Sequence, residues 1–544
     1  MADEIKNEKN SGMSRRDVLK GLATVPAVGG LFYGAYVSGK RWDANREARQ
    51  GILKEYNIDG GVSTPRMTYT PGAKSTGQKI RLGVIGFGIR GPQLVQASGF
   101  ATRRWLENME KMGANNDRLK AFYEQEDLNI EYTAVCDVFN VKAEEAKDTV
   151  DNGSAHGIKG NAKIYKNWED LVNAPDVDAV IIATPDHWHA PMSIAAAKAG
   201  KHVYVEKPMT HKIQETHEMF RVINESGVVL QVGHQHRQTD SYFKAKEVID
   251  KGLLGPISMI LTHTNRNSPN GAWVYPIHEQ ASPETIDWDM FLGNAPKVPF
   301  NKDHFFRWRK YWAYGTGLNG DLMTHEFDAF NQMLNMGIPK TAVCSGGVYF
   351  FKDAREVPDV MNVSLEYPDK NYTFVYSATQ ANEYNRTNLI LGHDASMEIT
   401  RELVVKPDRR STKFQEKFEK GLLKPDEPLL SYSPGSTNLD AVTTATERYF
   451  ASKGLLYTYR DGLRVDSAHL HIKEWLEAIR GTGKPSCDIV AGYEEAIAAH
   501  MATVAHKMGI KAYWDAENQE ITDQSGNVIK EIPMDSPADV GVIA

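Results

Sequence analysis

The apolar run Arg81–Gly86 leads without a break into Gly86-Phe87-Gly88-Ile89-Arg90-Gly91 and then into a helix-prone stretch. Few local patterns restrict a fold as tightly. An unbroken apolar run suits a strand buried on both faces, which occurs in parallel sheets covered by helices. The glycine spacing then dictates the turn. The first glycine permits a tight bend, the second lets a phosphate approach the backbone, and the third lets the helix pack close to the strand. The helix N-terminus presents free N–H groups and a positive dipole end to an anion placed there. A pyrophosphate-binding βαβ unit is expected.

Apolar runs recur at Tyr132–Cys136, Val177–Ala183, His202–Val205 and Val228–Val232, with amphipathic helical stretches at Val141–Val150, Met192–Ala199 and Ile213–Asn224 between them. Such alternation predicts an α/β fold whose N-terminal part, residues 78–236, is a doubly wound parallel Rossmann sheet. From residue 237 the pattern changes. A helix at Ser241–Lys251 precedes a strand at Ile257–His263, an aromatic-rich stretch runs to Tyr314, and strands follow at Val343–Phe351, Met361–Glu366 and Tyr372–Ala378. A C-terminal α/β domain with an open, mostly antiparallel sheet is expected over 237–515, with helices at Ala468–Arg480 and Tyr493–Met508. Residues 41–77 read as an arm or linker, 407–440 as a charged surface insertion, and 516–544 as a tail.

The 544 residues are 41% hydrophobic and 24% charged, which suits a soluble globular protein with more than one core. A net charge of −7 without a dense basic stripe gives no expectation of nucleic acid as a partner. Cys136, Cys344 and Cys487 are too few and too far apart for a disulfide framework or a zinc pair. Ser14-Arg15-Arg16-Asp-Val-Leu-Lys20 precedes an apolar Gly- and Ala-rich run to Gly39, so residues 1–40 read as a targeting segment. It resembles a twin-arginine (Tat) signal. The Tat machinery would then be a partner and the periplasm the destination, with membrane anchoring if the segment stays uncleaved.

Four groups of residues could carry chemistry. Asp137 ends the second predicted strand, where a carboxylate would bind the adenosine ribose and repel a 2′-phosphate, favouring NAD over NADP. It lies 51 positions after Gly86 (137 − 86), so residues 98–129 read as an insertion. Ala183-Thr184-Pro185-Asp186-His187-Trp188-His189 and Glu206-Lys207-Pro208 end two further strands, where open α/β sheets bind ligands. A lysine so placed can donate or relay a proton. In Gly315-Thr-Gly-Leu-Asn-Gly-Asp321-Leu-Met-Thr-His325, helical spacing puts Asp321 and His325 on one face, where the carboxylate can orient the imidazole.

This ordered set resembles the glucose–fructose oxidoreductase, inositol dehydrogenase and MocA-like (Gfo/Idh/MocA) family over roughly residues 79–515. The resemblance implies a nicotinamide cofactor in an interdomain cleft and a homo-oligomer, dimer or tetramer, formed through the open sheet. It implies Lys207, Asp321 and His325 as the catalytic group, with Thr184, Pro185, His189 and Glu206 lining the cofactor. His236 and Arg237, in Gly233-His-Gln-His-Arg237, would approach the nicotinamide and the substrate.

The pairs His187/His189 and His234/His236 could chelate a metal, but no acidic cluster accompanies them in sequence and no metal is expected. Trp312 and Tyr314, nearest the Asp321–His325 helix, are read as a wall for the substrate. The expected activity is hydride transfer between a sugar or polyol hydroxyl carbon and NAD(P), with a tightly held, recycled cofactor if the protein is exported. Two alternatives stand beside it: a glycosidase or lyase working through a transient keto-sugar, and a non-catalytic sugar sensor.

Overall fold

The computed structural model describes residues 43–113, 116–268, 271–384, 386–399, 402–433 and 457–533. The twin-arginine segment and residues 534–544 of the tail lie outside the described residues.

Six parallel strands form the N-terminal sheet: β1 (Ile80–Ile85), β2 (Ile130–Cys136), β3 (Lys163–Ile164), β4 (Ala179–Ile182), β5 (His202–Val205) and β6 (Leu230–Val232). Their order is β3-β2-β1-β4-β5-β6, so the winding reverses between β1 and β4. A crevice opens beyond the strand ends at such a reversal. The strands are buried on both faces: Val180, Ile182, Val203 and Val205 belong to one core, and Leu82, Val84, Ile181 and Tyr204 to the other.

The second sheet has ten strands: β7 (Ile257–Asn265), β8 (Thr341–Gly347), β9 (Val360–Tyr367), β10 (Tyr372–Thr379), β11 (Asn388–Gly392), β12 (Ala395–Ile399), β13 (Leu403–Pro407), β14 (Leu430–Tyr432), β17 (Ala512–Asp515) and β18 (Glu520–Thr522), while β15 (Tyr457–Arg460) and β16 (Leu463–Asp466) form a separate hairpin. Among the described residues, β7 and β10 pair in parallel and the other neighbouring strands pair antiparallel. The helices Thr324–Leu334 and Ile489–Met508 bury Phe327, Phe330, Ile497 and Met501 with the sheet residues Ile260, Leu365 and Phe374. Among the described residues, no helix is long and apolar enough to cross a membrane.

Three segments differ from the sequence reading. The stretch around 41–77 contains a helix at 43–55, buries Ile52 and Ile58 in the core of the ten-stranded sheet, and receives the buried Lys244 ammonium on the Asp59 and Gly61 carbonyls. Residues 407–433 are more than a surface insertion, because β14 extends the sheet and Phe414, Leu423 and Leu429 enter its core. The helix Ser467–Ile479 lies in sequence between β14 and β17 of the second sheet, yet Ile472, Trp475 and Leu476 pack beneath the Rossmann sheet. Amphipathic spacing shows that a helix has an apolar face, not which core receives it.

Candidate active site

The glycine turn is built as its spacing demands. Gly86 has φ +88°, and a Cβ there would meet the Ala183 carbonyl at 2.7 Å; one on Gly91 would lie 2.2 Å from the Gly86 carbonyl. Around Gly88, by contrast, 4 Å of space is open. Phe87 is fully buried and anchors the turn from below. Asp137 accepts the Phe87 N–H at 2.6 Å and the Phe139 N–H at 2.8 Å, so its carboxylate braces the turn while bordering the cleft. Burial pushes its pKa up, against the pull of those N–H donors.

A cleft of about 1360 Å³ runs along the strand ends and brings together most of the expected residues: Gly86, Gly88, Ile89, Arg90, Asp137, Thr184, Pro185, His189, Glu206, Lys207, His236, Asp321 and His325. Arg90 donates to Glu206 at 2.7 Å, to Gln93 at 3.1 Å and to Gln235 at 3.0 Å. It therefore clamps the glycine helix to the ends of β5 and β6, with its guanidinium committed to these partners. The imidazole of His189 spans the Pro208 and Thr184 carbonyls at 2.7 and 2.9 Å, linking the two strand-end motifs.

The chemical end of the cleft centres on Lys207. Its ammonium donates to the Asp321 main-chain oxygen at 2.7 Å and to Oδ1 at 2.9 Å. Asp321 Oδ1 also accepts from Arg309 at 3.2 Å, and Oδ2 from the Trp273 indole at 2.9 Å. Burial alone would raise the Asp321 pKa, but Lys207 and Arg309 hold it well below the usual carboxylate range. Trp273 takes a φ of +64°, an unfavourable region for a bulky residue, while its indole N–H reaches this carboxylate.

The expected Asp321–His325 pairing gives way to Asp321–Lys207. Residues Asn319–Met323 form a π-helical turn before the α-helix Thr324–Leu334. The wider turn rotates Asp321 away from the face that regular i, i+4 spacing would give it. His325 instead packs against the rings of His234 and His236, with centroids 5.6 and 5.5 Å away. Burial and then the Lys207 charge push its pKa well below the ordinary histidine value, so His325 is neutral at pH 7.

Three of the proposed substrate contacts point elsewhere. Arg237 is buried against Asp328 at 2.6 Å and donates to the Ser486 carbonyl, so it joins elements behind the cleft. Trp312 is a core residue whose N–H groups meet Glu356, and it lines a separate cavity of about 390 Å³. Tyr314 is buried against Phe291 and His187. Tyr275, Trp308 and Arg309 take their place on the cleft wall. Neighbouring positions in sequence gave no information on which way these side chains face. The structure also supplies the acidic partners not evident beside the HxH pairs: His234 lies 2.5 Å from Glu495 and 3.7 Å from Asp328. Arg237 also pairs with Asp328 there, and the ligand atoms of His234, Asp328 and Glu495 all lie within 4.8 Å of one another, a spacing that a metal ion could bridge.

Residues 80–234 match the NAD-binding Rossmann fold of the Gfo/Idh/MocA oxidoreductase family, and residues 238–340 match its C-terminal α/β domain. Over these two stretches the chain has the two domains of the Gfo/Idh/MocA family. Levoglucosan dehydrogenase of Pseudarthrobacter phenanthrenivorans is 31% identical over 191 residues, covering 33% of this chain and 42% of that one. The scyllo-inositol 2-dehydrogenase (NADP(+)) of Bacillus subtilis is 28% identical over 208 residues, covering 38% and 48%. The chain thus spans about half or less of the length of these two relatives. Among solved structures, the WlbA dehydrogenase of Bordetella pertussis, in complex with NADH and UDP-GlcNAcA, superposes with a TM-score of 0.51 at 17% identity, covering 80% of this chain and 98% of that one. Levoglucosan dehydrogenase in complex with NADH and L-sorbose gives 0.53 at 18% identity, covering 83% and 100%. At such identities the superpositions speak for the fold.

The site fits the cofactor of a Gfo/Idh/MocA Rossmann domain. Gly88 leaves room for a phosphate beside the helix N-terminus, and the buried Thr184 Oγ1 on the cleft wall has no hydrogen-bond partner among the described residues. Gly86, Gly88 and Ile89 would hold the pyrophosphate, Asp137 the adenosine ribose, and Thr184, Pro185 and Glu206 the path toward Lys207.

Proposed function

We propose that this protein is an NAD-dependent oxidoreductase acting on a secondary hydroxyl of a sugar or polyol. The observation that carries this reading is the meeting of Lys207, held by Asp321, with a neutral His325 at one end of a cleft whose other end is the open glycine turn. NAD, when bound, supplies the hydride acceptor. The protein's part is to position the hydroxyl and move its proton. Lys207 keeps two of its three donor directions on Asp321 and offers the third to the substrate oxygen. His325, neutral and open to the cleft, receives the hydroxyl proton. Arg309 and Trp273 fix Asp321, and so hold the lysine in place. Asp137 favours NAD over a 2′-phosphorylated cofactor.

Export supports the view that the cofactor stays bound between turnovers, because free NAD is scarce outside the cytoplasm. The Arg15-Arg16 pair and the apolar run after it favour export through the Tat pathway, and cell fractionation tests it. A homo-oligomer is supported by Met259 and Val343, which are exposed on the same open face of the second sheet.

The test is to denature the purified protein and identify released nicotinamide by mass spectrometry, beside an absorbance assay with added NAD and a sugar panel. Reduction of added NAD by one sugar establishes a conventional dehydrogenase. Bound nicotinamide without net reduction supports the recycling form of the same chemistry. Absence of nicotinamide binding under either condition overturns the reading.

A further inference from the structure

The cleft continues beyond the Lys207 end. Past Arg90 it follows the side of the helix Arg90–Ala97, bordered by Gln93 and Gln96, and reaches two helices of the insertion, Arg103–Lys111 and Asp117–Tyr123. Arg104, Trp105, Arg118 and Phe122 line this lobe.

This lobe lies outside the dinucleotide track. A dinucleotide occupies the helix N-terminus and the strand ends, whereas Gln96 sits roughly 9 Å farther along the helix axis, at 1.5 Å per residue. The whole cleft, about 1360 Å³, also exceeds the roughly 300–1,000 Å³ of an ordinary small-molecule site.

The insertion is firmly built. Thr102 and Asn116 cap its two helices through the Trp105 and Arg118 N–H groups, at 3.2 and 2.9 Å. Trp105 meets Phe122 edge-on at 5.3 Å, and the Phe122 carbonyl accepts from Gln125 at 3.0 Å. The arm closes over it, with the Gly72 N–H on the Glu124 carbonyl at 2.8 Å and the Thr70 N–H on Glu126 at 2.9 Å.

Its chemistry is specific. Arg103 pairs with Asp148 at 3.0 Å, facing away from the lobe. The guanidinium groups of Arg104 and Arg118, which line the lobe, enter no hydrogen bond or ion pair among the described residues, although the Asp466 carboxylate on the lobe's far wall feels the Arg118 charge. An indole and two guanidinium groups lining one lobe suit a sugar ring bearing an anionic group, because guanidinium binds carboxylate and sulfate in bidentate fashion. We infer that the substrate is an extended acidic glycoside. The sugar to be oxidised sits at Lys207 and His325, and a distal, negatively charged sugar unit rests on Trp105 between Arg104 and Arg118. This inference rests on the sugar-oxidoreductase reading above and narrows its substrate class.

The test is binding of NADH-loaded protein to an array of monosaccharides, neutral oligosaccharides and oligosaccharides bearing uronic acid or sulfate. Wild type is compared with Trp105→Ala and with Arg104→Ala/Arg118→Ala, each checked for native circular dichroism and unchanged NADH affinity. The expected result is that acidic oligosaccharides bind most tightly. Either variant should weaken them about tenfold or more, the size of one lost charge-assisted or stacking contact, and leave monosaccharides unaffected. Equal binding of neutral and acidic glycans, or tight binding confined to monosaccharides, overturns this inference and leaves the sugar reading intact. Loss of NADH affinity in the variants assigns the lobe to the cofactor and overturns it as well. Failure of every saccharide to bind overturns both.

Discussion

The Lys207 ammonium is held twice by a single residue, through the Asp321 main-chain oxygen at 2.7 Å and its carboxylate at 2.9 Å. The main-chain contact persists whatever side chain stands at 321, so the two contacts can be separated by mutation. Asp321→Asn keeps the shape and the main-chain acceptor but removes the charge facing Lys207 and Arg309. Lys207→Met removes the donor altogether. Both should retain NADH binding. Turnover should fall roughly 10²–10⁴-fold for Lys207→Met, the range for a positioned acid–base group, and less for Asp321→Asn. Steady-state kinetics beside NADH titration measures this; equal losses would mean that the main-chain contact contributes nothing to holding the lysine.

His325 sets the pH profile. Its pKa in the folded protein is pushed well below the free-histidine value by burial and by Lys207, so the base is already deprotonated at pH 6.5. The expected kcat/KM profile therefore shows no acid-side inflection near pH 6.5 and declines only well below it. His325→Gln should remove that low-pH limb along with most of the activity. A limb centred at ordinary histidine pKa would contradict the assignment of His325 as base.

The glycine turn gives a sharper contrast. A Cβ on Gly88 meets nothing within 4 Å, whereas one on Gly91 lies 2.2 Å from the Gly86 carbonyl. Gly88→Ala should leave thermal stability nearly unchanged while weakening NADH. Gly91→Ala should lower both stability and NADH affinity, since the helix must shift. Differential scanning calorimetry with NADH titration separates them, and equal stability losses would show that the open space at Gly88 is not the phosphate site.

Much of this site was legible because its signals are local. Gly86–Gly91, the Ala-Thr-Pro and Glu-Lys-Pro strand ends and the βα alternation are short-range patterns, and the structure brings all three motifs to one cleft. What failed to show was direction and distance. Arg237 is one residue from His236, yet it faces Asp328 behind the cleft while His236 lines it. The Asp321–His325 spacing suggested a shared helix face, and a single π-turn rotated it. Trp273 and Arg309 reach Asp321 from 48 and 12 residues away, contacts for which no periodicity exists.

Arg237 is thus expected to be structural. Arg237→Ala leaves Asp328 buried with its main cation gone, a loss of about 3–5 kcal/mol for a broken buried pair. Chemical denaturation should show a loss of that order, with KM little changed in the protein that stays folded. A large rise in KM at unchanged stability would return Arg237 to the substrate site.

Acid should unfold the protein early. Burial lowers His187 and His500 to about 3, and lowers His211 and His325 as well. These groups ionise in the unfolded chain near pH 6.5 but stay neutral when folded. The unfolded state therefore binds more protons below pH 6.5, and stability falls as pH drops from there toward 3. Melting temperature against pH checks this, and His187→Asn should flatten the slope.

The most direct measurement uses a panel of sugars and polyols deuterated at their ring carbons, incubated with the NAD-loaded protein, followed by mass spectrometry of the nicotinamide. It reads hydride transfer whether or not the redox change is net. Deuterium in the nicotinamide ring, from one carbon of one sugar class and absent in Lys207→Met, is the expected result. A nicotinamide that remains unlabelled while both cofactor and sugar are bound would contradict the proposed chemistry.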